Sequence, residues 1–417
     1  MADTPTVSPI PGLPLTSPEK EGFSSERLAV IGNVMQKYID NRMIPGSLTV
    51  IARHGKIVHH QCRGFMDIEA EKPVADDTIF RLASMTKPFT CVGLMMLYED
   101  GLFLLDQPIS SVLPSFKNMV VRGKHDFTEP AHREITFLDC LTHTGGFSLK
   151  EWNTIRFHTG HRIPKPLIPG TKDKLANEPP YIGTLEEAVE KFAKRPLNFQ
   201  PGTDWEYNPG HSVAGVLIEK LSGQPLDVFF RERIFKPLRL NDTMFYLTEE
   251  KAPRLAAAYL ETKNEWGNLG LIDSPRTSAR VTGPKTFFYS AGGLLSTVSD
   301  YARFTQMLLN GGTFDGVRII GRKTLELMTV NHTGNFNIYP MGPGYGYGLG
   351  FSVKTSNADS LLPGSPGTFG WDGAYATTFF VDPVEDLFAI LLTQVMGNSI
   401  LGRLRKDFTR LVYQALK

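Results

Sequence analysis

Cysteine is scarce in this sequence. Its three residues, Cys62, Cys91 and Cys140, are odd in number and far apart. That is not the pattern of a disulfide frame or a zinc site, and it reads as free thiols in a reducing, cytoplasmic compartment. Excess charge of either sign is also lacking: 44 basic residues stand against 43 acidic ones. Such a balance supplies no electrostatic footprint for nucleic acid or for an acidic membrane. No apolar stretch reaches the ~20 residues that a spanning helix needs. The first twenty residues hold several prolines and no apolar core of the signal-peptide kind, so export is not expected. No serine has glycine two places before and two places after it, which removes the Gly-x-Ser-x-Gly elbow of the α/β-hydrolases. His-x-His-x-Asp and His-Glu-x-x-His are missing as well, and the neighbours His59 and His60 alternate across a strand and cannot chelate one ion together. No internal repeat or low-complexity tract occurs. What is present is globular: 41% hydrophobic and 21% charged over 417 residues. That is enough for two or three domains, or for one large domain with an insertion.

The chain is organised around Arg81-Leu-Ala-Ser84-Met-Thr-Lys87-Pro-Phe-Thr90. An apolar run, Cys91, Val92, Leu94, Met95, Met96 and Leu97, follows at once and reads as a helix buried on all sides. Gly101 stops it, and Pro88 is tolerated only in its first turn. Ser84 is therefore expected at the mouth of this helix, with Lys87 three residues on and on the same face. Burial lowers the pKa of lysine because it penalises the charged form, and a neutral amine beside a serine can accept its proton. The Ser84 N–H at the positive end of the helix can hold an oxyanion. The bland alternative is an N-cap serine followed by a solvated lysine. Ser-x-x-Lys arises by chance on the order of once in a chain this long. A second copy, Ser17-Pro-Glu-Lys20, lies in the proline-rich start with no buried helix after it and reads as a decoy.

Residues 1–22 read as a loose leader. A helix is expected through Leu28, Ile31, Val34, Met35 and Tyr38, and then a hairpin, 46–53 and 56–64, turning at His54-Gly55. From about 102 to 284 the pattern is mainly helical. The stretch 136–146 reads as a short helix closed by its glycine pair, Gly145-Gly146, 184–194 as an amphipathic helix opened by a Thr184/Glu187 capping box, and 212–221 as a buried helix. Between them, 150–182 is irregular and proline-rich, and a loop of that length suggests a lid or substrate wall. After 285, strands are expected at 346–353, 376–381 and 387–394, and an amphipathic helix at 399–416. Strands at both ends of the chain imply one sheet assembled from 23–101 and 285–417, with 102–284 inserted as a helical domain.

Two further segments carry chemistry. Trp205-Glu-Tyr207-Asn208-Pro209-Gly-His211 leads into the helix at 212 and presents a phenol from a loop; the alternative is a packed tyrosine. Phe369-Gly-Trp371-Asp-Gly373-Ala374-Tyr375 precedes a strand; Gly373 permits close approach of the backbone to a ligand, and the N–H of Ala374 is a candidate second oxyanion donor.

In this order, the three segments resemble the serine β-lactamase and penicillin-binding superfamily, and most closely the family VIII carboxylesterases. The resemblance extends from about residue 22 to 415 and includes Leu141-Thr-His143-Thr-Gly-Gly146, Tyr289-Ser-Ala-Gly-Gly-Leu-Leu-Ser296 and Gly346-Tyr-Gly-Leu-Gly-Phe351. It implies an antiparallel sheet flanked by helices with an inserted helical domain, Ser84 as nucleophile, Lys87 as its activator and Tyr207 as proton shuttle. Trp371-Asp-Gly373 stands where β-lactamases have Lys-Thr-Gly, which makes Trp371 and Gly373 substrate-binding residues. No cofactor and no metal are implied, and the partner is a small-molecule ester. Two departures matter. Pro209 occupies the place of an expected Asn or Ser, with Asn208 one position early. Trp371 replaces the lysine that meets a β-lactam carboxylate. The reading is thus a serine esterase for small neutral esters, with β-lactamase and acyltransferase as alternatives. An intact Ser84, Lys87 and Tyr207 argue against a non-catalytic scaffold. His143, in the Thr-Gly-Gly turn, reads as structural.

Overall fold

The computed structural model describes residues 10–123, 127–153, 183–262 and 269–417. Its centre is an antiparallel sheet of eight strands. Three come from the start of the chain: β1 (Gly46–Arg53), β2 (Lys56–Asp67) and β3 (Lys72–Pro73). Five come from the end: β4 (Tyr345–Tyr347), β5 (Ser352–Lys354), β6 (Phe369–Gly373), β7 (Thr377–Asp382) and β8 (Leu387–Leu392). The order is β4-β5-β6-β7-β8-β1-β2-β3, so the two ends of the chain meet where β1 pairs with β8, Val50 opposite Ile390. This is the expected antiparallel sheet built from both termini and flanked by helices.

Leu-Phe-Ala-Ile-Leu-Leu in β8 is buried throughout because both faces of the sheet are covered. Helix α1 (Ser25–Asp40) and the C-terminal helix α7 (Asn398–Tyr413) pack together on one face, joining Ile31, Met35, Leu404 and Phe408 to Ile51, Phe380 and Leu391. The other face takes α6 (Val298–Leu309), which meets Val50, Phe379 and Ile390. Behind α6 lies α2 (Lys87–Glu99), with Phe89 stacked on Phe304 at 3.8 Å between ring centres. Helix α2 packs in turn on α5 (Gly210–Ser222). Between these, α3 (Phe137–Thr142) and α4 (Leu185–Phe192) both open on capping boxes, at Thr136/Asp139 and Thr184/Glu187.

Several expectations are corrected. Residues 10–22 are not a loose leader: Ile10 and Leu13 enter the core, Leu15 bridges to Ile57, and buried Glu21 binds Lys56 at 2.8 Å. The stretch 346–353 is not one strand but the hairpin β4–β5, because Gly350, at φ 95°, turns the chain back. Helix α3 ends on His143 itself, in the left-handed region at φ 63°, ahead of the glycine pair. Within the mainly helical middle, strands Ala258–Glu261 and Leu269–Asp273 pair with each other and, through Tyr259, with Val395. A buried Arg81–Asp273 ion pair at 2.5 Å fixes that hairpin beside the Ser84 segment. Nearly all of the long loop, 154–182, lies outside the described residues. No helix among the described residues is long and apolar enough to cross a membrane.

Candidate active site

Ser84 stands in a single 3₁₀ turn, Ala83–Thr86, that runs directly into α2. Helix α2 thus starts at Lys87 and not at Ser84, with Pro88 in its first turn, where a missing N–H costs nothing. Ala83 holds φ at 46°, a left-handed conformation that a non-glycine residue keeps only when its surroundings enforce it. The enforcement comes from both sides. Leu82 N–H donates to Leu294 O at 3.0 Å, and Leu294 N–H donates to Thr86 Oγ1 at 3.1 Å. On the other side the end of β6 abuts Leu82: a Cβ on Gly373 would fall 2.3 Å from Leu82 O, so any larger residue pushes β6 off the Ser84 turn. Ala374 follows, exposed, with its backbone next to this contact.

The side chains converge as the sequence implies. Ser84 Oγ is 2.6 Å from Tyr207 Oη and 3.0 Å from Lys87 Nζ. Lys87 is 3% exposed and donates to Ala291 O at 2.6 Å, while its Nζ lies 4.8 Å from the centre of the Tyr207 ring. Burial pushes the Lys87 amine down to about 8, against smaller opposing effects from Tyr289 and Cys91. Burial pushes the Tyr207 phenol up to about 12, opposed by hydrogen bonds with Ser84 and Trp371. The two shifts have opposite consequences. The lysine is brought into the range of a base near neutral pH, and the tyrosine is kept protonated as a donor.

Trp371, 4% exposed, lies in β6 opposite Phe379 and stacks on Tyr207, with ring centres 5.8 Å apart and planes at 25°. Asp372 beside it is paired with Arg405 at 3.2 Å and accepts from Thr378 Oγ1 at 2.6 Å. Asn208 does not take over from the residue missing at 209. Its Nδ2 donates to His143 O at 3.0 Å, and its Oδ1 accepts from Gly210 N–H at 2.8 Å, opening α5. His143 is fully buried against Tyr207, and burial holds its ring down at about 3, neutral at any working pH. By contrast, Ser17 and Lys20 lie exposed on a surface turn.

Two contributors were not identified from the sequence alone. The carbonyl of Ala291 orients Lys87, and its only sequence signal is the Gly292-Gly293 pair, where a Cβ would crowd Tyr289 and, at Gly293, Phe245. Tyr347 is fully buried and meets Trp371 edge to face at 5.1 Å. In the sequence it stands only as one position of an alternating stretch.

The family described as Beta-lactamase matches residues 31–414. Protein Rv1367c of Mycobacterium tuberculosis (strain ATCC 25618 / H37Rv) is 31% identical over 410 residues, 92% of this chain and 97% of that protein. Esterase EstB of Burkholderia gladioli is 27% identical over 392 residues, 91% of this chain and 93% of that one. Among solved structures, EstCE1, described as a hydrolase with promiscuous acyltransferase activity, superposes with a TM-score of 0.74 at 24% identity, covering 93% of this chain and 99% of its own.

Proposed function

The chain belongs to the β-lactamase family, and we propose that within it this protein is a serine carboxylesterase of the family VIII kind, acting on small neutral esters through an acyl-enzyme. The observation that carries this reading is Ser84 Oγ within hydrogen-bond reach of both Lys87 Nζ and Tyr207 Oη. Ser84 attacks the ester carbonyl carbon as Lys87 takes its proton. The N–H groups of Ser84 and Ala374 hold the oxyanion, Tyr207 gives a proton to the departing alcohol, and Lys87 restores it. Water, activated by the same pair, then releases the acid. Ser84, Lys87, Ala291 and Trp371 come from 23–101 and 285–417, while Tyr207 comes from 102–284, which supports two domains with the site between them. The similarity to Esterase EstB supports the ester, and the free thiols of Cys62, Cys91 and Cys140 suit a cytoplasmic location.

Trp371 separates esterase from lactamase. An indole has one neutral N–H and a large apolar face, so it packs on an alkyl group but cannot neutralise a carboxylate. A charged hydrogen bond to that carboxylate is worth about 1.5–3 kcal/mol. Trp371→Lys is therefore expected to raise kcat/KM for a carboxylate-bearing lactam relative to a neutral ester by roughly 10-fold or more. p-Nitrophenyl esters of graded length, run beside a chromogenic cephalosporin, test both proteins. A wild-type preference for the lactam over every ester would overturn the assignment. Acyl transfer uses the same residues, and EstCE1 supports it as the second reading. Adding a small alcohol to the assay measures its share.

The pH profile follows from Lys87. The base must be neutral, so kcat/KM rises about tenfold per pH unit up to about 8 and then levels. Tyr207 imposes no fall until about 12. An inflection near 6.5 instead, the ordinary value for imidazole, would assign the base to a histidine and remove Lys87 from that role.

A further inference from the structure

Away from Ser84, strand β2 and the loop that follows β3 bring together a second group of reactive side chains. His60 and Cys62 are two residues apart on β2 and so project from the same face of the sheet. Asp76 meets them from the loop. His60 Nε2 is 3.0 Å from Asp76 Oδ1, and Cys62 Sγ is 3.4 Å from the same oxygen. All three candidate ligand atoms lie within 4.8 Å of one another. His59 does not belong to the group: it alternates to the opposite face, where its Nε2 is 2.8 Å from Thr49 Oγ1.

We propose that His60, Cys62 and Asp76 bind a thiophilic divalent cation, with Zn²⁺ as the defining case. Three features support the site. The donor set is one sulfur, one imidazole nitrogen and one carboxylate oxygen, each a zinc ligand. The separations are close to those of a bound ion: bonds of about 2.3 Å to sulfur and 2.0–2.2 Å to nitrogen and oxygen imply tetrahedral edges of roughly 3.3–3.6 Å, against 3.0 and 3.4 Å to the carboxylate oxygen here and no more than 4.8 Å for the third edge, so small side-chain shifts close the site. Finally, the imidazole is buried and already oriented: the His60 side chain is 2% exposed, and its Nε2 faces Asp76 Oδ1 at 3.0 Å, the oxygen that Cys62 Sγ also meets. A cation seated among the three atoms would take over those contacts, so that none of the three is left without a partner. The Asp76 side chain is 22% exposed and flanked by exposed Ala75 and Asp77, which leaves a path for the ion and room for water as fourth ligand. On binding, the thiol proton leaves to solvent and a metal–sulfur bond forms. Thiolate and carboxylate then balance the charge of the dication.

Cobalt titration of the full-length protein, freed of metal by a chelator and desalted, tests this. One equivalent of Co²⁺ is expected to raise a thiolate-to-cobalt absorption in the near ultraviolet that Zn²⁺ then displaces. Competition against a chromogenic chelator should place zinc binding in the micromolar range or tighter. Cys62→Ser should abolish the absorption and weaken zinc binding by more than the ~10–100-fold that loss of a supporting group costs. Asp76→Asn should weaken it as well, and His59→Gln should leave it unchanged. Circular dichroism of each variant confirms that it is folded. No stoichiometric binding by the wild type, an absorption that survives in Cys62→Ser, or an equal loss in His59→Gln would each overturn the site.

Discussion

Ser84→Ala is expected to reduce ester hydrolysis to the background rate, while Ser17→Ala leaves it unchanged. Removing the nucleophile of a serine hydrolase costs on the order of 10⁶ in kcat, and what survives comes from binding and oxyanion stabilisation alone. The two serines share the Ser-x-x-Lys spacing and differ in surroundings. Ser84 Oγ has Tyr207 at 2.6 Å and Lys87 at 3.0 Å, whereas Ser17 and Lys20 lie exposed on a surface turn with no buried helix behind them. Deleting one hydroxyl from a partly buried position leaves the packing of α2 intact, so the variant should fold. A fluorophosphonate probe checks the same claim without substrate: the wild type gains one adduct, and the Ser84 variant gains none. Hydrolysis that persists in the Ser84 variant, once contaminating esterase is excluded, removes the assignment.

Tyr207→Phe is expected to lower kcat by about 10²–10⁴, the usual worth of a positioned acid or base. Lys87→Ala should be at least as damaging. The double variant should lose less than the product of the two losses, because both groups serve the same proton on Ser84. Strict multiplicativity would show that they act independently. Lys87 also carries a stability signature that activity alone cannot mimic. Its folded pKa is depressed from 10.5 to about 8 by burial. The sign follows: below about pH 8 the folded protein must hold a charge in the core, above about 10.5 neither state is charged, and the penalty disappears between the two. A shift of that size corresponds to about 3 kcal/mol. Lys87→Met, which fills similar space without charge, should therefore be inactive yet more stable than the wild type at pH 7, with the two unfolding curves converging at alkaline pH. Equal stability at pH 7 would mean that the amine is not desolvated and that its role as a neutral base needs another cause.

The fold and the three catalytic candidates were legible in the sequence because their signals are local. A run of apolar residues after Ser84, with Pro88 at its start and Gly101 at its end, specifies a buried helix whatever it packs against. Lys87 follows Ser84 by three positions, so helical periodicity alone puts the pair on one face. Apolar strands at both ends of the chain require one another's company, since β8 is apolar on both faces and must be covered on both.

Other features depend on distance in space between residues far apart in sequence. The start at Ile10 looked loose because proline-rich segments form no regular element, yet its few apolar side chains are captured by a core built from later residues. Asn208 lies one position from the expected Asn or Ser, and only the fold decides its role by binding its amide to His143, which lies 65 residues earlier. The Ala291 carbonyl is backbone and has no side-chain signature, so its bond to Lys87 exists only once α2 and the Tyr289–Leu294 segment are packed. His60 and Cys62 share a strand face by their spacing, which the sequence already states. Asp76 joins them because the turn after β3 folds back over β2, and no periodicity within the chain encodes that return.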